Sequence, residues 1–328
     1  MMGATHLDAY SKRNDASIFA VADKDKNRLE GLGFVEGSFE GLAEGGFDLS
    51  RTKRYVEGME LIEDPEVELV DICLPTPMHV EYAVAALRAG KHVLVEKPLA
   101  RTAKEAQKII DAAEASSGFI MPAMCMRFWP GWDWLKEAIS NSTYGKVLSA
   151  TFRRLSSHPG GSFYSNGEAS GGGILDLHIH DTDFTLYCFG MPQAVHSLGY
   201  SKNTNCIDHV VTQYIYEDIP IVIAEGGWTM TEGFPFTMQY TVNFERATAN
   251  FDFARKEKLL LSMRGGQTNS ITLRDELGYD NEIDYFISCV ATGKSPKRVT
   301  LTDGVNAINV VEAESRSIVD GKPIPFAL

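Results

Sequence analysis

Cysteine is scarce in this sequence, and its placement excludes two classes of protein. The 328 residues contain only five cysteines, scattered along the chain: Cys73, Cys125, Cys188, Cys206 and Cys289. No two of them form the C-x-x-C pair typical of zinc knuckles, and an odd number does not suit a framework of disulfides. We therefore expect reduced thiols that serve as small core residues.

Long apolar runs and clusters of basic residues are lacking as well. Charged residues already occur within the first twenty positions, so there is no apolar core of a signal peptide, and no later run is long enough to span a bilayer. The net charge of -13 includes no basic block, whereas a nucleic-acid surface needs clustered lysine and arginine. We therefore expect a cytoplasmic protein with no nucleic-acid partner and no membrane partner.

The pattern of the chain predicts two domains, for which 44% apolar residues are sufficient. Over the first 122 residues, β-rich runs alternate with helical patterns, which is typical of a doubly wound parallel sheet of the α/β class. Beyond residue 123, long alternating strands with short turns favour a mostly antiparallel sheet. These strands are predicted over residues 147–158, 194–201, 207–216, 219–229, 237–244, 247–253 and 259–263.

The first strand of the parallel domain is followed by an acidic residue. The run Ile18–Ala22 predicts a buried strand that ends on Asp23, about twenty positions beyond Gly3. In a dinucleotide-binding βαβ unit, a carboxylate at this distance from the glycine turn accepts hydrogen bonds from the adenosine ribose. Because it would repel a 2′-phosphate, NAD is favoured over NADP, although Lys24 and Lys26 keep NADP possible.

Such a unit also has a strand and the first glycines of a G-x-G-x-x-G turn before its last glycine. This chain begins at what resembles that last glycine, Gly3. We expect either that the start has been assigned too late or that the first strand and half of the pyrophosphate turn are missing. The glycines between Gly31 and Ser50 follow a charged helical segment and have the wrong spacing, so we predict an irregular loop there.

The stretch Gly90–Leu99 predicts a chemical site at the end of a buried strand. Val93–Val95 form the strand, and Glu96 and Lys97 follow where it would leave the sheet, the edge at which open α/β sheets bind ligands. Burial would lower the pKa of the Lys97 ammonium and Glu96 would raise it again, so Lys97 could donate to a substrate oxygen. Pro98 would fix the turn that aims the lysine. The alternative is a surface Glu-Lys pair.

Two other predicted strands also end in candidate ligand contacts. Pro75 and Thr76 form a rigid turn that would lay backbone amides and the Thr76 hydroxyl along a ligand. Arg127 follows another strand, where it could contact cofactor or substrate. Its alternative role is structural, with the guanidinium stacked on Trp129 or Trp132.

One helical segment, Gly171–Phe184, interrupts the β-rich half. At about 100° per residue, Asp176, His180 and Asp183 fall on one narrow stripe between apolar flanks. Charged groups in such surroundings are costly unless they are paired or in use. An Asp-His pair four residues apart lets the carboxylate orient the imidazole as a general base acting on an alcohol. The alternative is a buried Asp-His pair with a structural role.

His178 and His180 also spell His-x-His, which in another context indicates a metal site. In a helix the two rings point in nearly opposite directions, so a metal hydrolase would require a strand here. The triple glycine and the amphipathic pattern favour a helix, and we therefore expect no metal.

The two segments together resemble a known family. The Glu-Lys-Pro sequence within Gly90–Leu99 and the Asp-x-x-x-His helix within Gly171–Asp183 are similar to those of the Gfo/Idh/MocA oxidoreductases, the glucose-fructose oxidoreductase and inositol dehydrogenase family. The resemblance covers essentially the whole chain after Gly3. It implies a Rossmann domain, an open-faced β-sheet domain that often builds dimers or tetramers, and NAD(P)-dependent redox chemistry on sugars, inositols and related polyols.

By this resemblance, Lys97, Asp176 and His180 match the catalytic residues and would contact the substrate. Glu96 matches the residue near the nicotinamide ribose, and Pro98 matches a proline that is often cis.

Besides the absent first strand, which is the most serious departure, the chain departs from the family pattern in two places. The family commonly has Ser/Thr-Pro-Asn before the histidine matched by His79, whereas this chain has Leu74, Pro75 and Thr76, so Thr76 would remake one cofactor contact. The four residues are still expected to bind the cofactor. His178 stands where many relatives have glycine, which would narrow the substrate pocket.

The expected organisation is a dinucleotide-binding domain over residues 1–122, a substrate and oligomerisation domain over 123–300, and a segment over 301–328 that packs back on the first domain. The last segment contains a predicted amphipathic helix, Asp303–Val319, with Thr302 or Asp303 as its N-cap.

The expected function is hydride transfer between nicotinamide and a secondary alcohol or ketone of a sugar, inositol or related polyol. One alternative is an NAD-dependent glycosidase that oxidises transiently and eliminates, and another is a regulatory relative that binds a dinucleotide or sugar without turnover. Trp129, Trp132, Phe163 and Tyr164 could offer stacking faces to a sugar ring, although core packing explains aromatic residues equally well. A homodimer or homotetramer is expected from the resemblance alone.

Overall fold

The N-terminal unit is a series of parallel βα elements. A computed structural model of the protein describes residues 2–31 and 47–326, so most of the predicted glycine-rich loop lies outside the described residues. The elements follow in the order α1 (Met2–Ser11), β1 (Ala20–Ala22), α2 (Lys26–Leu29), β2 (Lys53–Tyr55), α3 (Gly58–Glu63), β3 (Leu69–Ile72), α4 (Thr76–Arg88), β4 (His92–Glu96), α5 (Ala103–Glu114) and β5 (Ile120–Ala123).

The strands of this unit form two parallel sheets. β1 pairs with β2, and β3, β4 and β5 form the second sheet in that order. Val93, Leu94 and Val95 of β4 have no exposed surface, and since successive strand residues point to opposite faces, both faces of β4 are covered. The predicted parallel α/β architecture is confirmed. The predicted burial of β1 is wrong, because its residues are half-buried in a small two-stranded sheet.

The C-terminal unit is built on one nine-stranded sheet. Its elements are a 3-10 turn (Cys125–Phe128), α6 (Trp132–Ser140), β6 (Val147–Ser157), α7 (Gly161–Ser165), α8 (Gly167–Ser170), a π-helical turn (Ile174–His178), α9 (Ile179–Phe189), β7 (Ala194–Tyr200), β8 (His209–Ile215), β9 (Ile221–Met230), β10 (Thr237–Phe244), β11 (Ala247–Asp252), β12 (Leu259–Met263), β13 (Thr268–Ile271), α10 (Gly278–Thr292), α11 (Leu301–Asp320) and β14 (Ile324–Pro325).

The strand order of this sheet is β13-β12-β11-β10-β6-β9-β8-β7-β14, and every pair is antiparallel except β6 with β9. The prediction of a large, mostly antiparallel sheet is confirmed. The sequence pattern did not predict β13, β14 or α10.

The nine-stranded sheet has one covered face and one open face. On the covered face, Trp132 of α6 has no exposed surface and packs against the rings of Phe152 and Phe184. On the opposite face, Leu198 of β7 and Val211 of β8 lie directly across from each other and are 69% and 38% exposed. An apolar surface therefore remains open on the outside of the sheet.

α11 connects the two units, because it packs against α5 and β5 as well as against α9 and β7. Its N-cap is Thr300, whose hydroxyl accepts from the backbone N–H of Asp303 while the Asp303 carboxylate accepts from the backbone N–H of Thr300. The prediction of Thr302 or Asp303 as N-cap is wrong, since Asp303 acts from inside the first turn of this capping box. Within the described ranges, no helix is long and apolar enough to cross a membrane.

Candidate active site

Lys97 directly follows the last residue of β4 and extends toward the C-terminal unit. Its Nζ donates to the backbone carbonyl of Asp176 at 2.7 Å and lies 3.4 Å from the Asp176 carboxylate. The peptide bond between Lys97 and Pro98 is cis. Two predicted site residues that are 79 positions apart in the chain are therefore in direct contact.

The surroundings of Lys97 keep its amine protonated. Burial favours the neutral amine, but the carboxylates of Asp176 and Glu96 outweigh burial and raise the pKa of Lys97 above its ordinary value of 10.5. At neutral pH the side chain is therefore an ammonium, which can donate a hydrogen bond but cannot accept a proton.

His180 has the opposite electrostatic character. Burial lowers the pKa of its imidazole well below 6.5, and the nearby positive charges of Lys97 and Arg154 lower it further. The ring is therefore neutral at neutral pH, as a general base must be. Its Nδ1 is buried and has no hydrogen-bond partner among the described residues.

The expected pairing of Asp176 with His180 is not what the structure shows. The stripe argument assumed a regular α-helix, but Ile174–His178 is a π-helical turn, so the spacing on which the argument relied does not apply to Asp176. The Asp176 carboxylate faces Lys97 instead. Among the described residues, no hydrogen bond joins Asp176 to His180, so Asp176 orients the ammonium and not the imidazole.

His178 lies in the core, and the expectation that it narrows the substrate pocket is wrong. The ring has no exposed surface and packs on Gly226 of β9, where an added Cβ would lie only 2.6 Å from its Nδ1. Its Nε2 lies 3.4 Å from Tyr214 Oη and 3.4 Å from the carboxylate of Glu314 on α11. His178 and His180 therefore face different surroundings, in agreement with the helical interpretation of His-x-His.

Arg127 is bound on several sides by groups of the protein, which favours the structural alternative over a ligand contact. Its guanidinium donates to both carboxylate oxygens of Asp183, at 2.9 and 2.7 Å, and both side chains are at most 2% exposed. A further bond runs to the backbone carbonyl of Arg298. The guanidinium stacks on Tyr187, not on Trp129 or Trp132 as the structural alternative proposed. The Asp183 carboxylate is therefore bound to Arg127, so Asp183 does not act together with Asp176 and His180.

The aromatic residues divide between core and pocket. Trp129 is 3% exposed and meets the rings of Phe253 and Tyr279 edge-on, so it packs in the core and offers no open face to a sugar. Tyr164 lies close to Lys97 and Asp176: burial raises its pKa to about 12, and the Asp176 carboxylate contributes to the rise. Its ring packs edge-on against Trp228 at 5.9 Å.

Arg154 is a charged residue beside the site that the sequence analysis did not select. It lies on the covered face of β6, 3% exposed, and its guanidinium donates to both carboxylate oxygens of Asp181 at 2.8 and 3.1 Å. In a strand that alternates between core and solvent, a charged residue at a position that points to the core is a signal that could have identified Arg154. Its electrostatic effect on His180 is the reason that it matters here.

His79 joins two strand ends. Its ring nitrogens lie 2.8 Å from the carbonyl oxygen of Pro98 and 2.7 Å from that of Leu74, so both are used by the backbone. The expectation that His79 contacts the cofactor directly is therefore not supported by this geometry. Pro75 and Thr76 form the N-terminus of α4, as N-cap and first residue, and Thr76 is buried.

The strand ends carry a donor set that fits a dinucleotide. Asp23 follows β1 with its carboxylate about one third exposed, and Arg28 approaches it to 3.3 Å. Gly3 lies in the first turn of α1 and Thr76 in the first turn of α4, and helix N-termini favour phosphate groups. With Glu96 and Lys97 at the end of β4, these residues provide ribose acceptors and phosphate donors at the carboxyl ends of strands from the two parallel sheets. Fold and site together define the class of dinucleotide-binding Rossmann proteins.

Comparison with known families makes this class specific. The model of the oxidoreductase family with an NAD-binding Rossmann fold, Gfo/Idh/MocA, matches residues 1–123, and the model of the corresponding C-terminal domain matches residues 132–250. The chain belongs to the Gfo/Idh/MocA family.

Several characterised proteins are similar to this chain. A myo-inositol 2-dehydrogenase of Thermotoga maritima is 31% identical over 191 residues, 58% of this chain and 52% of that protein. A D-glucoside 3-dehydrogenase of Escherichia coli is 30% identical over 202 residues, 60% of this chain and 54% of that protein. The chain thus spans about half the length of the curated relatives it matches.

The fold is shared with solved structures over nearly the whole chain. A levoglucosan dehydrogenase in complex with NADH and levoglucosan superposes with a TM-score of 0.84, covering 100% of this chain and 97% of that chain at 20% identity. An aldose-aldose oxidoreductase from Caulobacter crescentus superposes with a TM-score of 0.81 at 19% identity, over 97% and 94% of the two chains.

Proposed function

We propose that this protein is a dehydrogenase that oxidises a secondary alcohol of a sugar, inositol or related polyol with NAD, or reduces the matching ketone. The observation that carries the proposal is the combination of a protonated Lys97 and a neutral His180 near the end of β4, where the charge of the ammonium disfavours protonation of the imidazole. An ammonium and a neutral imidazole at one place are what removal of a hydroxyl proton requires, because one stabilises the oxygen and the other accepts its proton.

In the oxidation, His180 accepts the proton of the substrate hydroxyl. Lys97 donates a hydrogen bond to the same oxygen and stabilises the negative charge that develops there. Asp176 keeps the Lys97 ammonium in place through its carbonyl and carboxylate. When bound, nicotinamide supplies the acceptor for the hydride. In ketone reduction, the protonated imidazole returns the proton to the oxygen.

The cofactor of the proposed reaction is NAD, with NADP possible. Asp23 would accept from the ribose hydroxyls, and the N-terminus of α1 around Gly3 would face the phosphates. Arg28, which contacts Asp23, adds to the positive charge of Lys24 and Lys26 and would tolerate a 2′-phosphate. The preference for NAD is therefore moderate.

The substrate class is proposed from the relatives and from the pocket. The two curated relatives are named for myo-inositol and for D-glucosides, and the superposed structure contains levoglucosan; all three compounds are polyhydroxylated rings. In this chain, the half-buried ring of Tyr164, which packs edge-on against the buried Trp228, provides an apolar face for such a ring close to Lys97 and Asp176.

A homodimer or homotetramer is part of the proposal, because the open face of the nine-stranded sheet exposes apolar side chains such as Leu198 and Val211. We also propose a cytoplasmic location, which is supported by the five free cysteines.

The test is product analysis with NAD and a small set of substrates: myo-inositol, a nitrophenyl glucoside and levoglucosan. Accumulation of NADH together with a keto product supports the dehydrogenase. Release of nitrophenol without NADH would identify the transient-oxidation glycosidase. Binding of NADH and sugar with neither product would identify a regulatory binding protein.

A further inference from the structure

A buried chain of polar groups runs from α1 to the catalytic strand. His6 of α1 is 2% exposed, and its Nδ1 lies 2.8 Å from the carboxylate of Asp71 on β3. On the other side of the ring, Nε2 lies 3.1 Å from Oε1 of Glu96 at the end of β4. The second oxygen of Glu96 accepts the backbone N–H of Lys97 at 3.0 Å. Asp71, His6, Glu96 and Lys97 thus form a continuous series of contacts, in that order.

The imidazole in this chain is held between two carboxylates. Burial disfavours its charged form, but Asp71 and Cys73 outweigh burial and raise the pKa of His6 well above 6.5. A protonated ring carries an N–H on each side; the one on Nδ1 is directed to Asp71, and the one on Nε2 lies on the side of Glu96. The N–H···O angle from Nε2 to Glu96 Oε1 is unsuitable for a hydrogen bond, so attraction between opposite charges accounts for the contact with Glu96.

Glu96 is restrained at both of its oxygens, and this restraint reaches the catalytic ammonium. Because Oε2 binds the backbone N–H of Lys97, the orientation of the Glu96 side chain determines the start of the turn from which Lys97 extends. We propose that His6, held by Asp71, is a positioning residue that fixes Glu96 and thereby the direction of the Lys97 side chain. The inference rests on the proposed function only in taking Lys97 as the catalytic ammonium.

Two residues beside this series of contacts, Cys73 and Glu282, define competing explanations. Cys73 Sγ lies 3.4 Å from His6 Nδ1, and the ligand atoms of His6, Asp71 and Cys73 all lie within 4.8 Å of one another, close enough for a divalent cation. Glu282 of α10 is fully buried, and neither of its carboxyl oxygens has a partner in the described part of the chain. Burial and Glu96 raise the pKa of Glu282 well above its ordinary range, so it adds no charge to the cluster.

The kinetic test compares two substitutions at one position. His6→Leu removes both contacts, and we expect kcat to fall about 10- to 100-fold, the cost of misplacing a reacting group, while the KM of the sugar and the Kd of NADH stay within about threefold of the wild type. His6→Gln replaces the attraction between charges with an amide N–H on a flexible side chain that can form a hydrogen bond to Glu96, so it should hold the carboxylate again and restore kcat to within about threefold. The matched control is His196→Leu on the open face of the sheet, which should leave kcat unchanged.

A second measurement decides the inference without relying on turnover. Competitive acetylation with acetic anhydride, read by mass spectrometry, reports the accessibility and protonation of each lysine in the folded protein. Lys97 should be labelled several-fold faster in His6→Leu than in the wild type and in His6→Gln, while exposed lysines such as Lys104 are labelled equally in all three. If the wild type oxidises no sugar, this experiment still tests the positioning role.

Three results would overturn the inference. The first is a folded His6→Leu protein with wild-type kcat or, where no turnover is found, wild-type labelling of Lys97. The second is a His6→Gln variant as impaired as His6→Leu. The third is binding of Zn²⁺ that depends on His6, combined with an effect of a chelator on the wild-type protein, measured as a change in kcat or in the labelling of Lys97. That result would make His6, Asp71 and Cys73 a metal site.

Discussion

At the scale of single residues, Lys97 is the side chain whose loss should affect the reaction most. Lys97→Met preserves length and removes the ammonium, so the charge developing on the substrate oxygen is no longer stabilised. We expect kcat to fall by about 100-fold or more, with the Kd of NADH within a few-fold of the wild type. Steady-state kinetics and a fluorescence titration with NADH measure the two quantities.

Lys104→Met is the matched control, because Lys104 is exposed on α5 and contacts none of the proposed catalytic groups. It should behave as the wild type. A Lys97→Met protein with full activity would remove Lys97 from the mechanism.

The pKa shifts of Lys97 and His180 predict a pH profile with a wide plateau. Oxidation needs a neutral His180 and a protonated Lys97. Because the pKa of His180 is lowered below 6.5, activity should fall only at more acidic pH; because that of Lys97 is raised above 10.5, the alkaline decline should begin above that value. The measurement is kcat/KM against pH, and an acidic inflection above pH 7 would contradict it.

The environments of Lys97 and His180 could each be predicted only in part. The effect of Glu96 on Lys97 follows from their adjacency in the chain, whereas the larger effect of Asp176 does not. The partners of Asp176 and Arg127 come from segments 79 and 56 residues away, and no local pattern specifies them. Long-range partners of this kind become visible only in the fold.

At the scale of elements, the Arg127–Asp183 ion pair ties the 3-10 turn to α9 below the site. Asp183→Asn would remove the buried carboxylate that binds Arg127 at two nitrogens and leave, among the described residues, only Asp303, 3.3 Å away, as its counter-charge, so we expect the free energy of unfolding to fall by about 3 kcal/mol. Urea denaturation measures the change. The control is Glu30→Gln, which breaks the partly exposed pair with Arg54 and should change it by less than about 1 kcal/mol.

Equal destabilisation by Asp183→Asn and Glu30→Gln would contradict the assignment of Arg127 as a buried structural residue. It would also reopen the earlier expectation that Arg127 contacts a ligand.

Regular elements could be predicted because their periods are regular. The alternating strands β10 and β12 were located correctly to the residue, since inward and outward positions differ in character. The π-helical turn Ile174–His178 could not be predicted, because an inserted residue shifts the stripe without changing composition. β13 was missed for another reason: its four residues, Thr268–Ile271, are mostly polar and exposed, so the strand has no apolar face to recognise.

At the scale of the whole molecule, the open face of the nine-stranded sheet predicts self-association. Leu198→Glu combined with Val211→Glu places two like charges across from each other on that face, which should prevent burial against a second copy. Light scattering after size exclusion should show a dimer or tetramer for the wild type and a monomer for the variant. Val319→Glu on α11, at a residue that is 82% exposed, is the control and should not change the mass.

The general organisation of the molecule could be predicted from the change in pattern near residue 123, because parallel and antiparallel sheets differ in the length and alternation of their strands. The connecting role of α11 could not. Its amphipathic pattern indicates an apolar face but not that this face contacts both units, and the buried Glu314 gives no sign in the sequence of its partners Tyr214 and Thr182.

The contact between Glu314 and His178 has a consequence for how the protein is made. A ribosome synthesises the chain from its N-terminus, so Lys97, Asp176 and His180 have all emerged before Glu314 is added. The turn that contains Asp176 and His178 therefore acquires its buried partner only after the strands up to β13 and α10 have been translated. A nascent chain that stops before α11 contains Lys97, Asp176 and His180 but lacks the partner of His178, so we expect the proposed site to be complete only once α11 has been added.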